Sequence, residues 1–360
     1  MFLAINELLK EKSRFILITL VIVLVSYLVF FLTALAYGLA TSYTQGIDKW
    51  SADGIITQKD ANSNIGRSRL VGLQYENIDA PDKAPLGVGL SVAVYDGQKE
   101  DVAIFGIDLG SFLKPELVEG RDIEESEEVI VDSSLREFVS SESKLRLYGD
   151  ETEYAVVGYM DKATYQTAPL IYMSLSDWRK QAAESSGMTG MRDNTTISAA
   201  VVRGEGDSPL GAVKVNDDQL ELQSIADFVY TLPGYQAQVL TFGTMIGFLI
   251  AIASFVLAIF MYILTLQKKS IFGVLKAEGV PSAYIAGSVV LQTILLSVIG
   301  MVVGLILTLI SGYFLSGTIP FLVQPWFFVA IFGLFIVCAI IGATASVRAV
   351  TKIDPVEAIG

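Results

Sequence analysis

The sequence predicts a membrane protein with four transmembrane α-helices and an α+β extracytoplasmic domain inserted between helices 1 and 2. Three observations predict it. The 360-residue chain is 52% hydrophobic, with a mean hydropathy of +0.54, too apolar for an ordinary soluble domain. No Asp, Glu, Lys or Arg occurs over residues 15–47, 228–267 or 279–347. Charge is also segregated. Residues 40–238 hold 17 Lys/Arg and 33 Asp/Glu, net −16, leaving 8 and 5 for the rest, net +3.

A hydrocarbon core about 30 Å thick needs roughly 20 apolar residues as helix. The first two charge-free blocks hold one span each, 15–38 and 240–265. The third must turn back on itself. Pro320 and Pro325 break it within 316–326, leaving spans at 284–314 and 327–347. The basic start (Lys10, Lys12, Arg14) and the Ala-Leu-Ala at 34–36 have a signal-peptide look. However, the apolar run exceeds the about 7–15 residues of a signal core, so an uncleaved helix is expected. All eight positive residues outside 40–238 flank a span: Lys10, Lys12, Arg14, Lys268, Lys269, Lys276, Arg348 and Lys352. The positive-inside rule puts those ends in the cytoplasm, with both termini inside and 40–238 and the 316–326 turn outside; a bacterial cell membrane is the expected location.

The outer segment changes to short alternating runs with Gly and Asp turns. A hairpin is expected at Asp96-Gly97 and a second around Gly149-Asp150. A strand is expected before a helix capped near Asp132 or Ser133, and a strand then a helix over 168–183. The single cysteine, Cys338, lies in the last span, so the outer domain must hold together without disulfides. The chain has no histidine. A Ser-His-Asp triad and a His-ligated zinc site are excluded, and no phosphate loop is present to hydrolyse ATP. No catalytic or metal-binding residue is expected, no nucleic-acid partner, and the chain is not expected to be an enzyme. The acid run at 122–128 lacks the spacing of a calcium loop. Asn194 sits in an N-x-T pattern that a bacterial protein leaves unmodified.

The inner segments are short: 1–14, 266–283 and 348–360. In 1–14, Phe2, Ile5, Leu8 and Leu9 fall on one side of a helix and Glu7, Lys10, Glu11 and Arg14 on the other. That is the pattern of a surface-lying cytoplasmic helix, or of a simple anchoring flank. In 266–283, a short amphipathic helix would place Ile271, Val274 and Leu275 on one face, with Lys276 and Glu278 elsewhere. Gly279 can stop it with a left-handed cap, Pro281 prevents its continuation, and Ser282 can cap the next helix. Such a coupling segment is either a docking knob or a connector lying on the surface.

Several stretches resemble one family. "GVLKAEGVPSAYI" is similar to the coupling segment of FtsX/MacB-type ABC transporter permeases. "LVEGRDIEESEEVIVDSSL" followed by "YAVVGYM" resembles their outer domain, and "VTKIDPVEAIG" their C-terminus. The N-terminal "MFLAINELLKEKSRFILI" and "LPGYQAQ" look closest to the haem-efflux, HrtB-like branch. The resemblance covers nearly the whole chain. It implies a homodimer in membrane lipid, worked by two copies of a separate cytosolic ABC ATPase subunit. It implies efflux of an amphipathic substrate, with haem as cargo rather than as a permanently bound cofactor. The alternatives are a permease-like regulator that transmits motion to a cell-wall hydrolase, and a sensor without cargo.

Candidate ATPase-coupling residues are Ile271, Phe272, Leu275, Lys276 and Glu278, an apolar knob ringed by charge that suits a groove. Candidate substrate-binding residues lie where the first two spans meet the outer surface: Tyr37, Tyr43, Tyr235, Gln236, Phe242 and Met245. Aromatic walls suit a planar ligand, with Met245 or Tyr235 as axial ligands. Tyrosine at a membrane surface also serves as interfacial belt, and Met245 as packing. Gly300 and Gly304 form a G-x-x-x-G pair that allows close helix contact, within one chain or between two.

Overall fold

The computed structural model describes residues 12–141, 143–185, 195–206, 208–267, 269–315 and 319–351. Asn194, Lys268, residues 1–11 of the N-terminal segment, residues 316–318 of the outer turn and residues 352–360 of the tail lie outside them. Helix α1 (Lys12–Asp48) opens the described chain. Next come β1 (Gly54–Gln58), α2 (Gly72–Glu76), β2 (Ile78–Asp79), β3 (Asp82–Tyr95) and β4 (Gln98–Ile107). β5 (Glu119–Gly120), β6 (Glu128–Asp132), β7 (Lys144–Leu147), β8 (Glu153–Met160), β9 (Thr164–Tyr165) and β10 (Ala168–Ser174) lead to α3 (Leu175–Ser185). β11 (Ala199–Arg203), β12 (Lys214–Val215), β13 (Leu220–Ser224) and α4 (Ile225–Thr231) follow. The chain closes with α5 (Tyr235–Gln267), α6 (Lys269–Ala277), α7 (Ser282–Leu315) and α8 (Pro325–Thr351). Two compact units divide it: one takes the chain up to Gly38 and from Val239 onward, the other Leu39–Gln238.

In the first unit, four helices among the described residues are long and apolar enough to cross a membrane: α1, α5, α7 and α8. Phe15, Ile18, Ile22 and Phe30 of α1 share one buried cluster with Leu257, Val289, Leu296, Met301, Phe328 and Phe335. Lipid tails are as apolar as leucine, so close packing rather than water exclusion must hold such helices together. The glycines show where it does. A Cβ on Gly300 would stand 2.5 Å from Ile22 Cγ2, and one on Gly304 2.3 Å from Ser26 Oγ. The G-x-x-x-G pair therefore closes α7 onto α1 within one chain. Ser26 Oγ donates to the Gly300 carbonyl at 3.2 Å, and Tyr27 shares a hydrogen bond with Ser311 at 3.0 Å. On α8, Gly342 lets Ala258 of α5 approach.

The outer unit is built on an eleven-stranded sheet in the order β13-β1-β11-β3-β4-β10-β6-β8-β5, with β7 paired to both β3 and β8 and β9 to β10. The pairings β3-β4-β10-β6-β8-β7-β3 close a circuit of six strands. Ile104, Val131, Leu145, Tyr154, Val156, Ile171 and Met173 share one buried cluster on it. The β3–β4 hairpin turns at Asp96 and Gly97, both at positive φ (47° and 77°), as a two-residue hairpin loop requires. Trp178 of α3 lies against the cross-strand pair Gly87 and Gly106. A Cβ on either would come within 2.3 Å of the Trp178 side chain. The helix expected after β6 is instead a 3₁₀ turn, Ser133–Glu137. Asp132 caps it, accepting from the Ser134 N–H at 2.9 Å, but its other oxygen is taken by the Ala163 N–H at 2.7 Å.

Candidate functional site

The inner turn is built from its cap outward. The Val280 N–H donates to the Leu275 carbonyl at 3.0 Å and the Gly279 N–H to Lys276 at 3.0 Å. With Gly279 at φ 90°, this is a Schellman ending for α6. Pro281, not Ser282, takes the N-cap position of the next helix. Its carbonyl accepts from the Tyr284 and Ile285 N–H groups, which leaves Ser282 as the first helical residue.

α6 does not present all the residues expected of a docking face. Phe272 is 1% exposed and belongs to the buried cluster of the four spans, with Leu275 and Val280 packed against it. Phe272 and Leu275, both expected in docking, pack against the spans. The face turned outward carries Ile271 (52% exposed), Val274 (45%) and the exposed Glu278. Positions 271, 274 and 278 are three and four apart, so they form one helical stripe. Lys276 is half-buried and lies off that stripe, on another side of the helix. Val274 lay on the expected apolar face but outside the expected coupling set.

At the outer ends of the spans, the six expected substrate residues divide. Tyr43 and Tyr235 are brought together, ring centroids 5.8 Å apart and edge-on. Tyr230 joins them from α4, 5.9 Å from Tyr235. Gly234, at φ 83°, lets the chain pass within reach of the Tyr43 hydroxyl. Gln236 is exposed nearby on α5. In the membrane unit, Tyr37 stands against Phe327 at 5.4 Å. Phe242 is half-buried on α5, and Met245 is 44% exposed. Tyr230 escaped the sequence reading because it precedes the turn at Leu232–Gly234 and meets Tyr235 only after that turn folds.

The last turns of α1 are locked into the outer unit. Thr164 Oγ1 donates to the Ser42 carbonyl at 2.7 Å. The Thr167 and Gln166 N–H groups donate to the carbonyls of Ser42 and Tyr43 at 3.1 and 3.2 Å. Gly46 lies close against Leu170 and Phe105, and Ile47 and Trp50 enter the same buried cluster as Phe105.

The acid run at 122–128 has a structural use. Glu128 is 7% exposed and accepts from the Arg121 guanidinium, one contact at 2.9 Å, and from the Glu124 and Glu125 N–H groups at 2.9 and 3.1 Å. The Arg121 fork, helped by those amides against the opposing effect of burial, holds its carboxyl down to about 2 from 4.5. A depressed folded value contributes stability present above the unfolded value and lost as pH falls from about 4.5 toward about 2. Thermal unfolding of the detergent-solubilised chain should therefore weaken more steeply across that window than that of Glu128→Gln. Parallel profiles for the two proteins would contradict the assignment. Among the described residues, no group of three or more Asp, Glu, Cys or His could hold a metal ion.

The chain is similar to several known proteins. A model described as the FtsX-like permease C-terminal domain matches residues 243–355. The chain is 26% identical over 363 residues to the hemin transport system permease protein HrtB of Staphylococcus epidermidis, covering 100% of this chain and 99% of that one. Identity to HrtB of Staphylococcus haemolyticus is 25% over 365 residues, with the same coverage. Two solved structures are similar to part of the chain. The extracellular domain of the ABC-type transporter YknZ from Gram-positive bacteria has a TM-score of 0.33 at 12% identity, covering 45% of this chain and 87% of that one. The periplasmic region of MacB from Actinobacillus actinomycetemcomitans has a TM-score of 0.34 at 11% identity, covering 53% and 97%.

Proposed function

We propose that this four-span membrane protein, with an FtsX-like permease domain over residues 243–355, is the permease subunit of an ABC-type exporter. A separate ATPase supplies the energy, and the cargo is an amphipathic molecule, haem first among the candidates. One observation carries the reading. α6 is pinned to the spans by Phe272 and turns an apolar stripe, Ile271 and Val274, outward beside charge. An exposed apolar stripe on a nine-residue helix suits a partner's groove. The chain has no phosphate loop of its own, so that partner is the motor.

The remaining assignments follow from the same reading. Two copies pair in the lipid, two ATPase subunits engage the two inner turns, and both termini face the cytoplasm. α1 runs unbroken from Lys12 to Asp48, and its final turns are part of the outer core. A tilt of α1 would therefore move outer residues directly. The same joint also suits the second reading, transmission of motion without cargo. For a planar cargo, the Tyr43–Tyr235–Tyr230 cluster offers aromatic faces; separately, in the membrane unit, Met245 is an exposed soft ligand. No permanently bound cofactor is assigned.

The test is ATP hydrolysis by the chain reconstituted in nanodiscs with its ATPase. Hemin, iron-free porphyrin and phospholipid alone are compared. The expected result is a complex whose ATPase rate rises with hemin. A bound but hemin-indifferent ATPase would favour transmission without cargo. An ATPase that never binds would overturn both readings.

A further inference from the structure

Strand β3 changes partners partway along. On the edge away from β4 it pairs with β11 from Asp82 to Leu86, and with β7 at Ala93 and Val94. Between these contacts, residues 87–92 have no neighbouring strand on that edge among the described residues. The two-residue turn after Tyr95 makes Tyr95 and Gln98 a hydrogen-bonded pair, so the odd-numbered residues of β3 bond to β4 and the even-numbered ones face the other edge. Two bonds agree with this alternation. The Val88 N–H donates to Ser198 Oγ at 2.9 Å, and the Val92 carbonyl accepts from the Tyr148 N–H at 2.9 Å. Leu90 stands between them. Its N–H and C=O, and the N–H of Val92, face the gap and have no partner among the described residues.

The gap opens into a cleft of about 750 Å³ lined by Ile65, Arg69, Leu90, Tyr148, Trp178 and Gln181, among others. Leu90 is 64% and Tyr148 69% exposed. They stand on one face, because Tyr148 lies across from Val92. Trp178 is 2% exposed, and its indole N–H, above Gly89, has no partner among the described residues. Open strand edges invite pairing, and proteins usually blunt them with charge, proline or a bulge. Residues 87–92 carry no charge and no proline.

We propose that this gap is a peptide-binding site, in which an extended segment of another polypeptide adds as a short strand opposite Leu90. Backbone complementarity selects the ligand class. A lipid or a porphyrin can fill an apolar cleft, but neither offers a C=O and N–H at strand spacing. Val88 to Val92 spans about 13 Å at roughly 3.3 Å per residue, room for three to five residues. The residue opposite Leu90 is apolar, because its side chain joins Leu90 and Tyr148. Its neighbours turn toward Trp178, Gln181 and Ser185 and are polar. The inference is independent of the transported cargo.

The test uses the full chain in nanodiscs and a phage-displayed random hexapeptide library, counter-selected on empty nanodiscs. Enriched peptides should share a central apolar residue. A synthetic copy should bind in fluorescence polarisation. Leu90→Pro should weaken it at least about tenfold, by removing the donor and filling the gap with the ring. That N–H has no partner among the described residues, so the variant should melt with the wild type. If it does not fold, Leu90→Lys places a charge on the same edge and must show the same loss. N-methylation of the peptide's central amide must also abolish binding. The proposal is overturned if no peptide is enriched, if the variant that folds binds as the wild type does, or if the N-methylated peptide binds unchanged.

Discussion

Gly304→Leu is expected to destroy the packing of α1 on α7 and with it the folded membrane unit. At Gly304 even a single methyl has no room. Its Cβ would lie 2.3 Å from Ser26 Oγ, 2.8 Å from the Tyr27 amide nitrogen and 3.1 Å from the Val23 carbonyl oxygen. Two of those three atoms are backbone, so no rotamer change relieves the clash and α1 must move away. Its departure also breaks the bonds from Ser26 Oγ to the Gly300 carbonyl and from Thr308 Oγ1 to the Tyr27 carbonyl. Overpacking by small increments costs about 1–3 kcal/mol, and an isobutyl group at a backbone contact exceeds that range. The measurement is thermal loss of the monodisperse species in detergent. Gly304→Ala should lower the midpoint and Gly304→Leu should leave no folded species. The control is Gly287→Leu on the same helix, where nothing lies within 4 Å of a Cβ and the midpoint should not move. Equal behaviour of the two leucine variants would show that the glycine contact holds nothing together.

The four spans were legible because a bilayer demands long apolar runs, and nothing else in a chain explains 69 residues without a charge (279–347). Their ends were less so. The sequence expects the first span to finish near residue 38, whereas α1 continues to Asp48. The extra turns, 39–48, mix Leu39, Ala40 and Ile47 with polar residues and carry little hydropathy signal. They stay helical because Thr164, Gln166 and Thr167 bind the carbonyls of Ser42 and Tyr43, a contact 122 residues away in sequence at its first member. Short periodicity could not reveal it. The two hairpin turns were legible from Gly and Asp: the two-residue loop at Asp96-Gly97 needs positive φ at both positions, and the longer β7–β8 connection needs it at Gly149. The 3₁₀ turn after Asp132 was not, because the competing demand of the Ala163 N–H on the same carboxylate comes from a distant loop.

The inner turn shows the same division between cap and face. Gly279 and Pro281 announced where α6 stops, because a left-handed cap and a missing N–H are local facts. Which side of a nine-residue helix points inward is not local. Phe272 with Leu275, and Ile271 with Val274, each look apolar at a helical spacing of three. The buried cluster of the spans takes the first pair and leaves the second exposed.

That division makes the last prediction a contrast between two kinds of failure. Phe272→Ala should cost about 3–5 kcal/mol of stability, as large-to-small changes in a core do, and the membrane unit should melt early whether or not an ATPase is present. Ile271→Asp combined with Val274→Asp should do the opposite. Both side chains are already half exposed, so the folded chain loses little. At a closed interface, however, two carboxylates would be buried without partners. A loss of about 2 kcal/mol or more, the size that marks an interface hot spot, weakens association roughly thirtyfold. The readouts are the melting midpoint, the fraction of ATPase that co-purifies and the ATP hydrolysis rate of the reconstituted complex. Phe272→Ala should lower the first. The aspartate pair should leave the first in place and remove the second and third. Should the aspartate pair retain its ATPase while Phe272→Ala loses it at a temperature where both are folded, the docking surface lies on the buried side of α6, and Phe272 is a contact for the motor rather than an anchor.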